Sequence, residues 1–364
     1  MILTIKKFLN YLKRIFFLPY DLIECRNWKP YSKIILKNEN SSWVLDEIFQ
    51  ELNFFLRSLG FEIVDERFIY NSKNQILFNL SKYDVLKNIH KYNHKVYFPY
   101  FHGHPDTNQE FQLLVSMIEK YHNKISGIQV SNSLTEKIIL ETGIDKKKVF
   151  RIPISIDLKK FNNFEKPHTP LTRKSIGIPD NAFLIGSFQK DGTGWQEGNQ
   201  PKLIKGPDIF AKSLINIQKK IKNVFVLLLG PSRGYIKNQL KKSGIPYKHI
   251  ILSKHEHIQK YYNLLDVYMV TSREEGGPRA LFEAMISKIP VVTTNVGMAI
   301  DLLEHKFHGW KVDVEDVEGL SYWVEYIHNN QKDLNKILIN AQNLAKNNSY
   351  DFQKKLWLNF LNKG

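Results

Sequence analysis

Two patterns of apolar residues alternate along the chain. Short apolar runs, typical of buried strands, are separated by stretches in which apolar residues recur every three or four positions, as on one face of a helix. In the first half the strand candidates are 33–37, 75–80, 95–101 and 125–130, and the helix candidates are 44–59, 83–90, 110–121 and 134–142. Strands separated by helices predict a parallel sheet that is covered on both faces.

This pattern breaks at 151–170, which holds three prolines, and then starts again. The second half has strand candidates at 182–188, 224–229, 250–253, 267–270 and 290–294, a helix at 207–220 and a helix opening at Pro278. We therefore predict an α/β protein of two Rossmann-like, doubly wound domains that face each other across a ligand cleft. The predicted domains are 1–157 and 158–346, followed by a helical segment at 347–364.

The first residues, 1–19, have apolar side chains on one helical face and lysines and arginine on the other. The longest apolar run, Ile15–Leu18, has four residues and ends at Pro19, which is too short for a secretory signal peptide or a membrane span. One interpretation is an interfacial helix that binds anionic lipid. The other is an ordinary first helix packed on its domain, and the pattern leaves both open.

Composition narrows the classes of protein further. Hydrophobic residues make up 43% of the chain and aromatic residues 13%, which excludes a disordered protein. The 52 Lys and Arg against 36 Asp and Glu give a net charge of +16, so the chain should attract nucleic acid, anionic lipid or phosphorylated ligands. Cys25 is the only cysteine, which forbids an intrachain disulfide and favours a reducing compartment.

The segment 272–285 carries the most specific chemical pattern. A strand runs into Gly276 and Gly277, and Pro278 is predicted to be the first residue of a helix, whose free amides would bind an anion. Glu275 and Glu283 lie eight positions apart, so a nucleotide sugar would place its phosphates at the helix start and its hydroxyls on the two carboxylates. The alternative is an ordinary amphipathic helix with Arg279 and Glu283 paired on its solvent face.

The same segment resembles the E-x7-E motif of retaining glycosyltransferases of family 4, the "glycosyl transferases group 1", which have the GT-B fold. The resemblance covers roughly 125–330. Besides the motif, it is carried by 130–142, 148–157, 185–190, 202–206, 266–272, 290–294 and 308–312.

The resemblance implies roles for individual residues. His102, at the end of the strand 95–101, matches the active-site histidine near the donor sugar. Lys205 matches the lysine that neutralises the departing phosphates, and Glu275 the glutamate that holds donor-sugar hydroxyls. These three are the catalytic candidates, and the donor-binding candidates are Lys190, Lys202, Arg233, Gly276, Gly277 and Glu283, the last of which matches the ribose-binding glutamate.

The chain also departs from the family pattern. The family usually has an arginine soon after the position of Gly186, and Lys190 or Lys202 is the candidate replacement here. Arg233 and 253–254 are assigned to the nucleobase side of the site. Lys288 stands where the family usually has a glycine after the motif helix.

The resemblance implies transfer of a hexose-type sugar from a nucleotide diphosphate sugar to a glycan or lipid-linked acceptor, in cell-surface polysaccharide or glycolipid synthesis. It implies retention at the anomeric carbon, no cofactor besides the donor and no essential metal, and a terminal helix that crosses back to the first domain. With the basic first residues, it predicts a cytoplasmic protein peripheral to the inner face of the membrane.

Two alternatives are a nucleotide-sugar epimerase of the same architecture and a nucleic-acid-binding protein. The lysines are spread along the chain and no recognition motif accompanies them, so we expect no nucleic-acid partner.

Overall fold

Two compact units form the described part of the protein. The computed structural model describes residues 20, 22–25, 27–38, 44–162, 171–252 and 257–362. The first unit takes the described residues of 1–130, 136–151 and 354–364, and the second unit takes those of 131–135 and 152–353. The predicted amphipathic segment 1–19 lies outside the described residues. Within them, no helix is long and apolar enough to cross a bilayer.

The first unit contains a six-stranded parallel sheet in the order β2-β1-β3-β4-β5-β6. Its strands are β1 Lys33–Lys37, β2 Glu62–Val64, β3 Ile76–Asn79, β4 Lys95–Pro99, β5 Ile125–Val130 and β6 Val149–Arg151. The helices that follow them in the chain are α1 Val44–Ser58, α2 Lys82–Asn88, α3 Gln109–Tyr121 and α4 Ser133–Leu140. The strand order reverses direction between β1 and β3, as in doubly wound folds.

The second unit repeats this architecture with the strand order β12-β11-β10-β7-β8-β9, again all parallel. Its strands are β7 Phe183–Phe188, β8 Val224–Leu229, β9 Tyr247–Ile250, β10 Val267–Val270, β11 Val291–Thr294 and β12 Trp310–Val312. Its helices are α5 Leu158–Asn162, α6 Pro207–Lys220, α7 Gly234–Lys242, α8 Gln259–Tyr262, α9 Arg279–Ile286, α10 Met298–Leu302, α11 Val317–Asn329 and α12 Asn335–Asn347. The order reverses between β7 and β10.

A last helix, α13 Lys354–Asn362, packs in the first unit. Its Trp357 and Phe360 are 3% and 0% exposed. The Phe360 ring stands edge-on to Phe78 of β3 at 5.8 Å and to Tyr97 of β4 at 5.1 Å between centroids. Gly127 of β5 leaves room for these rings, because a Cβ there would lie 2.6 Å from Tyr97. The helix therefore completes the core on one face of the first sheet.

The sequence predicted the α/β class with two Rossmann-like units, and this is confirmed. Two local predictions are wrong. The strand predicted at 250–253 lies earlier, at Tyr247–Ile250, and Pro278 precedes α9 in an extended conformation (φ −74°, ψ 137°) instead of forming its first turn. The short strands β2, β6 and β12 were not predicted as strands, because three residues are too few to show a period of two.

Candidate functional site

The predicted donor-site residues gather at the carboxyl edge of the second sheet. The loop after β7 carries Lys190, Lys202 and Lys205, and the loop after β10 carries Glu275. β7 and β10 are neighbours and mark the point where the strand order reverses. Ligands of open α/β sheets bind at such a point, because the loops diverge there and leave a crevice.

Glu275 and Lys205 form an ion pair at the centre of this site. Lys205 Nζ lies 2.6 Å from Glu275 Oε2, and the two side chains are 26% and 9% exposed. Ser272 Oγ donates a hydrogen bond of 2.8 Å to the other carboxylate oxygen, Oε1. The carboxylate is therefore held from two sides.

Arg273 ties together the two loops that carry this pair. Its guanidinium donates two hydrogen bonds of 2.8 Å to the carboxylate of Asp208, in the first turn of α6, and one of 2.7 Å to the carbonyl of Leu203. Its Nε also pairs with Glu315. The hydrogen bonds to Asp208 raise the pKa of Arg273 and lower that of Asp208. A bidentate pair of this kind fixes orientation as well as distance.

Gly206 lets the two loops approach closely. Its φ is +62°, and a Cβ there would lie 1.9 Å from the carbonyl oxygen of Thr271. Thr271 Oγ1 donates a 2.9 Å hydrogen bond to the Gly206 carbonyl. The backbone that carries Lys205 is therefore packed directly on the end of β10.

Lys190 and Lys202 add positive charge around Lys205. Desolvation, then the charges of Lys205 and Lys190, lower the pKa of Lys202, while Glu275 opposes this shift. Desolvation also lowers the pKa of Lys190, whose ammonium lies 3.6 Å from the centre of the Trp195 ring. Three cations close to one carboxylate leave an excess of positive charge, which an anion with several charges would relieve.

The glycine turn before α9 packs against the segment that begins α10. Gly276 and Gly277 are both buried. The Gly277 carbonyl accepts a 2.6 Å hydrogen bond from Met298 N, and a Cβ on Gly297 would lie 2.2 Å from the same oxygen. The turn is thus fixed beside the N-terminus of α9, where the helix dipole favours negative charge.

Glu283 is buried inside the second unit, at 3% exposed. Its Oε1 lies 3.0 Å from Arg279 Nε, and its Oε2 accepts a 2.9 Å hydrogen bond from the Tyr262 hydroxyl. The i,i+4 pair considered in the sequence therefore forms, but in the interior and not on a solvent face. Burial raises the pKa of Tyr262 well above its usual range, so its hydroxyl stays a donor.

The side chain of Arg233 points into the second unit, whereas the sequence analysis assigned it to the nucleobase side of the site. Its side chain is fully buried, and its Nη1 donates to the carbonyls of Ser187, Gln189 and Leu229 at 2.7–2.9 Å. Its Nε pairs with the equally buried Asp191 at 3.0 Å. The guanidinium thus holds the ends of β7 and β8 together. Residues 253–254, predicted to lie beside it, fall outside the described residues.

His102 lies in the first unit, three residues beyond the end of β4 and half-buried. This places it at the carboxyl edge of that sheet, as its position after an apolar strand predicts. Its ring stands edge-on to Phe111 at 5.9 Å.

Two side-chain contacts around the site carried no sequence signal. Asp208 and Arg273 are 65 positions apart, and Tyr262 and Glu283 are 21 apart. Their side chains meet only through the packing of separate loops and helices.

Solved structures share the fold of this chain. The chain superposes on Anabaena Alr3699/HepE in complex with UDP and glucose with a TM-score of 0.72, covering 91% of this chain and all of that one at 15% identity. It superposes on S. aureus TarM with a TM-score of 0.61, covering 82% of this chain and 56% of that one at 18% identity. The fold is the GT-B fold of glycosyltransferases.

A family model matches part of the second half of the chain. Residues 201–344 match the family Glycosyl transferases group 1, and this region contains Lys202, Lys205 and both glutamates of the motif.

Two curated relatives that match the chain are glycosyltransferases. The chain is 25% identical over 197 residues to the UDP-Gal:alpha-D-GlcNAc-diphosphoundecaprenol alpha-1,3-galactosyltransferase of Escherichia coli, covering 53% of this chain and 48% of that protein. It is 25% identical over 156 residues to the lipopolysaccharide core biosynthesis mannosyltransferase LpsB of Rhizobium meliloti, covering 41% of each. The chain thus spans about half the length of these relatives.

Proposed function

We propose that this protein transfers a hexose from a nucleotide diphosphate sugar to a hydroxyl of a glycan or lipid-linked acceptor, with retention at the anomeric carbon. The observation that carries the proposal is the Lys205–Glu275 pair with Lys190 and Lys202 beside it. The solved HepE structure with UDP and glucose and the UDP-Gal-dependent relative favour a uridine donor.

The lysines supply the electrostatic part of the reaction. As the bond between the anomeric carbon and the diphosphate oxygen breaks, negative charge grows on the phosphates. Lys205 and the positive end of α9 stabilise that charge. The proton of the acceptor hydroxyl passes to the departing phosphate oxygen as the new carbon–oxygen bond forms. No metal is needed in this scheme.

Glu275 supplies the sugar-binding part. One oxygen of its carboxylate faces Lys205, and the other accepts a hydrogen bond from Ser272. When phosphates draw the Lys205 ammonium toward themselves, Oε2 becomes available to a sugar hydroxyl while Ser272 still orients the carboxylate. A ribose hydroxyl donates to an oxygen of Glu283 that also contacts Tyr262 or Arg279. His102 contacts the donor sugar.

Donor turnover tests this function. Full-length protein incubated with UDP-hexoses and a lipid-linked acceptor should release UDP, with an unchanged rate in EDTA. Lys205→Met should lower the rate on the order of 10²-fold, because one fixed charge at a developing anion contributes that much. Lys212→Met, an exposed lysine on α6, is the matched control. Epimerised donor without acceptor, or full turnover by Lys205→Met, would contradict the proposal.

The lysine cluster predicts a pH dependence. The pKa values of Lys190 and Lys202 are lowered from 10.5. A neutral amine binds phosphate less tightly than an ammonium, so UDP affinity should fall as pH rises, beginning below 10.5. Calorimetry from pH 7 to 10 would measure this fall, with uridine as the phosphate-free control. A flat UDP affinity over that range would refute the role of the two lysines.

Membrane attachment is the further part of the proposal. Deleting residues 1–19 should release the protein from anionic liposomes, because the charged and apolar faces predicted there would be lost. Flotation of full-length and truncated protein on vesicles with and without anionic lipid measures the effect. Equal binding of both forms to anionic vesicles would contradict a membrane role for this segment.

A further inference from the structure

Lys82 has an unusual place in the first unit. It is the first residue of α2 and only 6% exposed. Its ammonium lies 4.1 Å from the ring centre of Tyr100 and 4.9 Å from that of Phe111. It donates a hydrogen bond to the main-chain carbonyl of His102.

A lysine is an unfavourable choice at this position. The N-terminus of a helix carries the positive end of its dipole, which repels a cation. Burial of an ammonium adds a desolvation penalty that the aromatic faces offset only in part. Residues that break local preferences in this way are concentrated at functional sites.

The contacts of Lys82 converge on the turn that carries His102. The Tyr100 hydroxyl donates a 2.6 Å hydrogen bond to the Gly103 carbonyl. Gly103 has a φ of +118°, and a Cβ there would lie 2.6 Å from the Phe111 ring. The same Phe111 ring meets the His102 imidazole edge-on. Lys82 thus contacts the rings of Tyr100 and Phe111, and all three residues contact the turn.

We infer that Lys82 is a positioning residue for His102 in sugar transfer. By binding the His102 carbonyl it fixes the peptide plane, and with it the direction in which the imidazole leaves the backbone. This inference rests on the proposed function, since it matters only if His102 contacts the donor sugar.

The test is a double-mutant cycle in the full-length protein. Lys82→Met should lower kcat on the order of 10–100-fold, the cost of displacing a reacting group by about 1 Å, with KM for the donor within about twofold. Lys82→Arg should recover part of the loss, and Lys87→Met, an exposed lysine of the same helix, should behave as wild type. In a His102→Ala background, Lys82→Met should have no further effect, because it acts through His102.

The outcomes separate this inference from the proposed function. If Lys82→Met has the wild-type kcat while His102→Ala is impaired, the inference about Lys82 is overturned and the proposed function is not. Full additivity of the two changes has the same meaning. Full activity of His102→Ala removes the proposed role of His102 and this inference with it. If Lys82→Met does not fold, Tyr100→Phe keeps the ring and deletes the bond to Gly103. It should lower kcat several-fold with His102 present and leave kcat unchanged in the His102→Ala background; a wild-type kcat in Tyr100→Phe overturns the inference.

Discussion

Glu275→Gln should lower sugar transfer by a factor on the order of 10²–10³ while the protein remains folded. The amide keeps the shape of the side chain, but it removes the charge that pairs with Lys205 at 2.6 Å. It also replaces one charged acceptor oxygen by an NH2 donor, so a sugar hydroxyl loses the charge-assisted hydrogen bond to that atom. Removal of one group that is complementary to the transition state typically costs this much.

The measurement is the release of UDP from the preferred donor at saturating acceptor. Glu274→Gln, the neighbouring residue, is the matched control for charge. The KM for donor should change less than kcat, because Lys205, Lys190 and Lys202 still bind the diphosphate. Turnover within threefold of wild type would remove Glu275 from the site.

Arg233→Met should be the most destabilising single change in the second unit. It leaves Asp191, which is fully buried, without its cationic partner and frees the carbonyls of Ser187, Gln189 and Leu229. Breaking a buried ion pair by removing one partner costs about 3–5 kcal/mol. For a unit of this size that corresponds to a fall in Tm of about 10 °C.

Thermal unfolding followed by fluorescence measures this effect. Burial already raises the pKa of Asp191 above 3.8, against the opposing effect of Arg233. In the variant the carboxylate should bind a proton even more readily, so the loss of stability should shrink as pH falls through the raised pKa. Lys237→Met, which breaks the exposed pair with Glu197, should change Tm by no more than about 3 °C. An unchanged Tm in Arg233→Met would show that the buried pair is not needed.

Long apolar runs made the two sheets predictable. β1, β5, β8 and β10 begin and end where the pattern predicts, because strands buried on both faces are rich in apolar residues. The positions of Glu275 and His102 after strands were predictable from the sequence, whereas the role of His102 came from the resemblance. A resemblance supplied Lys205, which spacing alone would not have linked to Glu275.

The side-chain contacts that the sequence did not predict are those set by distant parts of the chain. Arg233 follows a strand in a glycine-containing loop, which is typical of a ligand-binding arginine. Whether its guanidinium turns outward or inward depends on Asp191, 42 positions earlier, and on open carbonyls at the strand ends. Glu283 likewise has the expected spacing, but its burial follows from Tyr262 on another helix. Local sequence does not encode such pairings.

The packing of α13 delays completion of the first unit's core until the end of translation. Trp357 and Phe360 fill the core of the first unit, yet the ribosome makes them only after the whole second unit. While the chain is being translated, Phe78, Tyr97 and their neighbours lack the rings that later cover them. The first unit thus reaches its final packing after the second has emerged from the exit tunnel, which inverts the usual amino-to-carboxyl order of domain maturation.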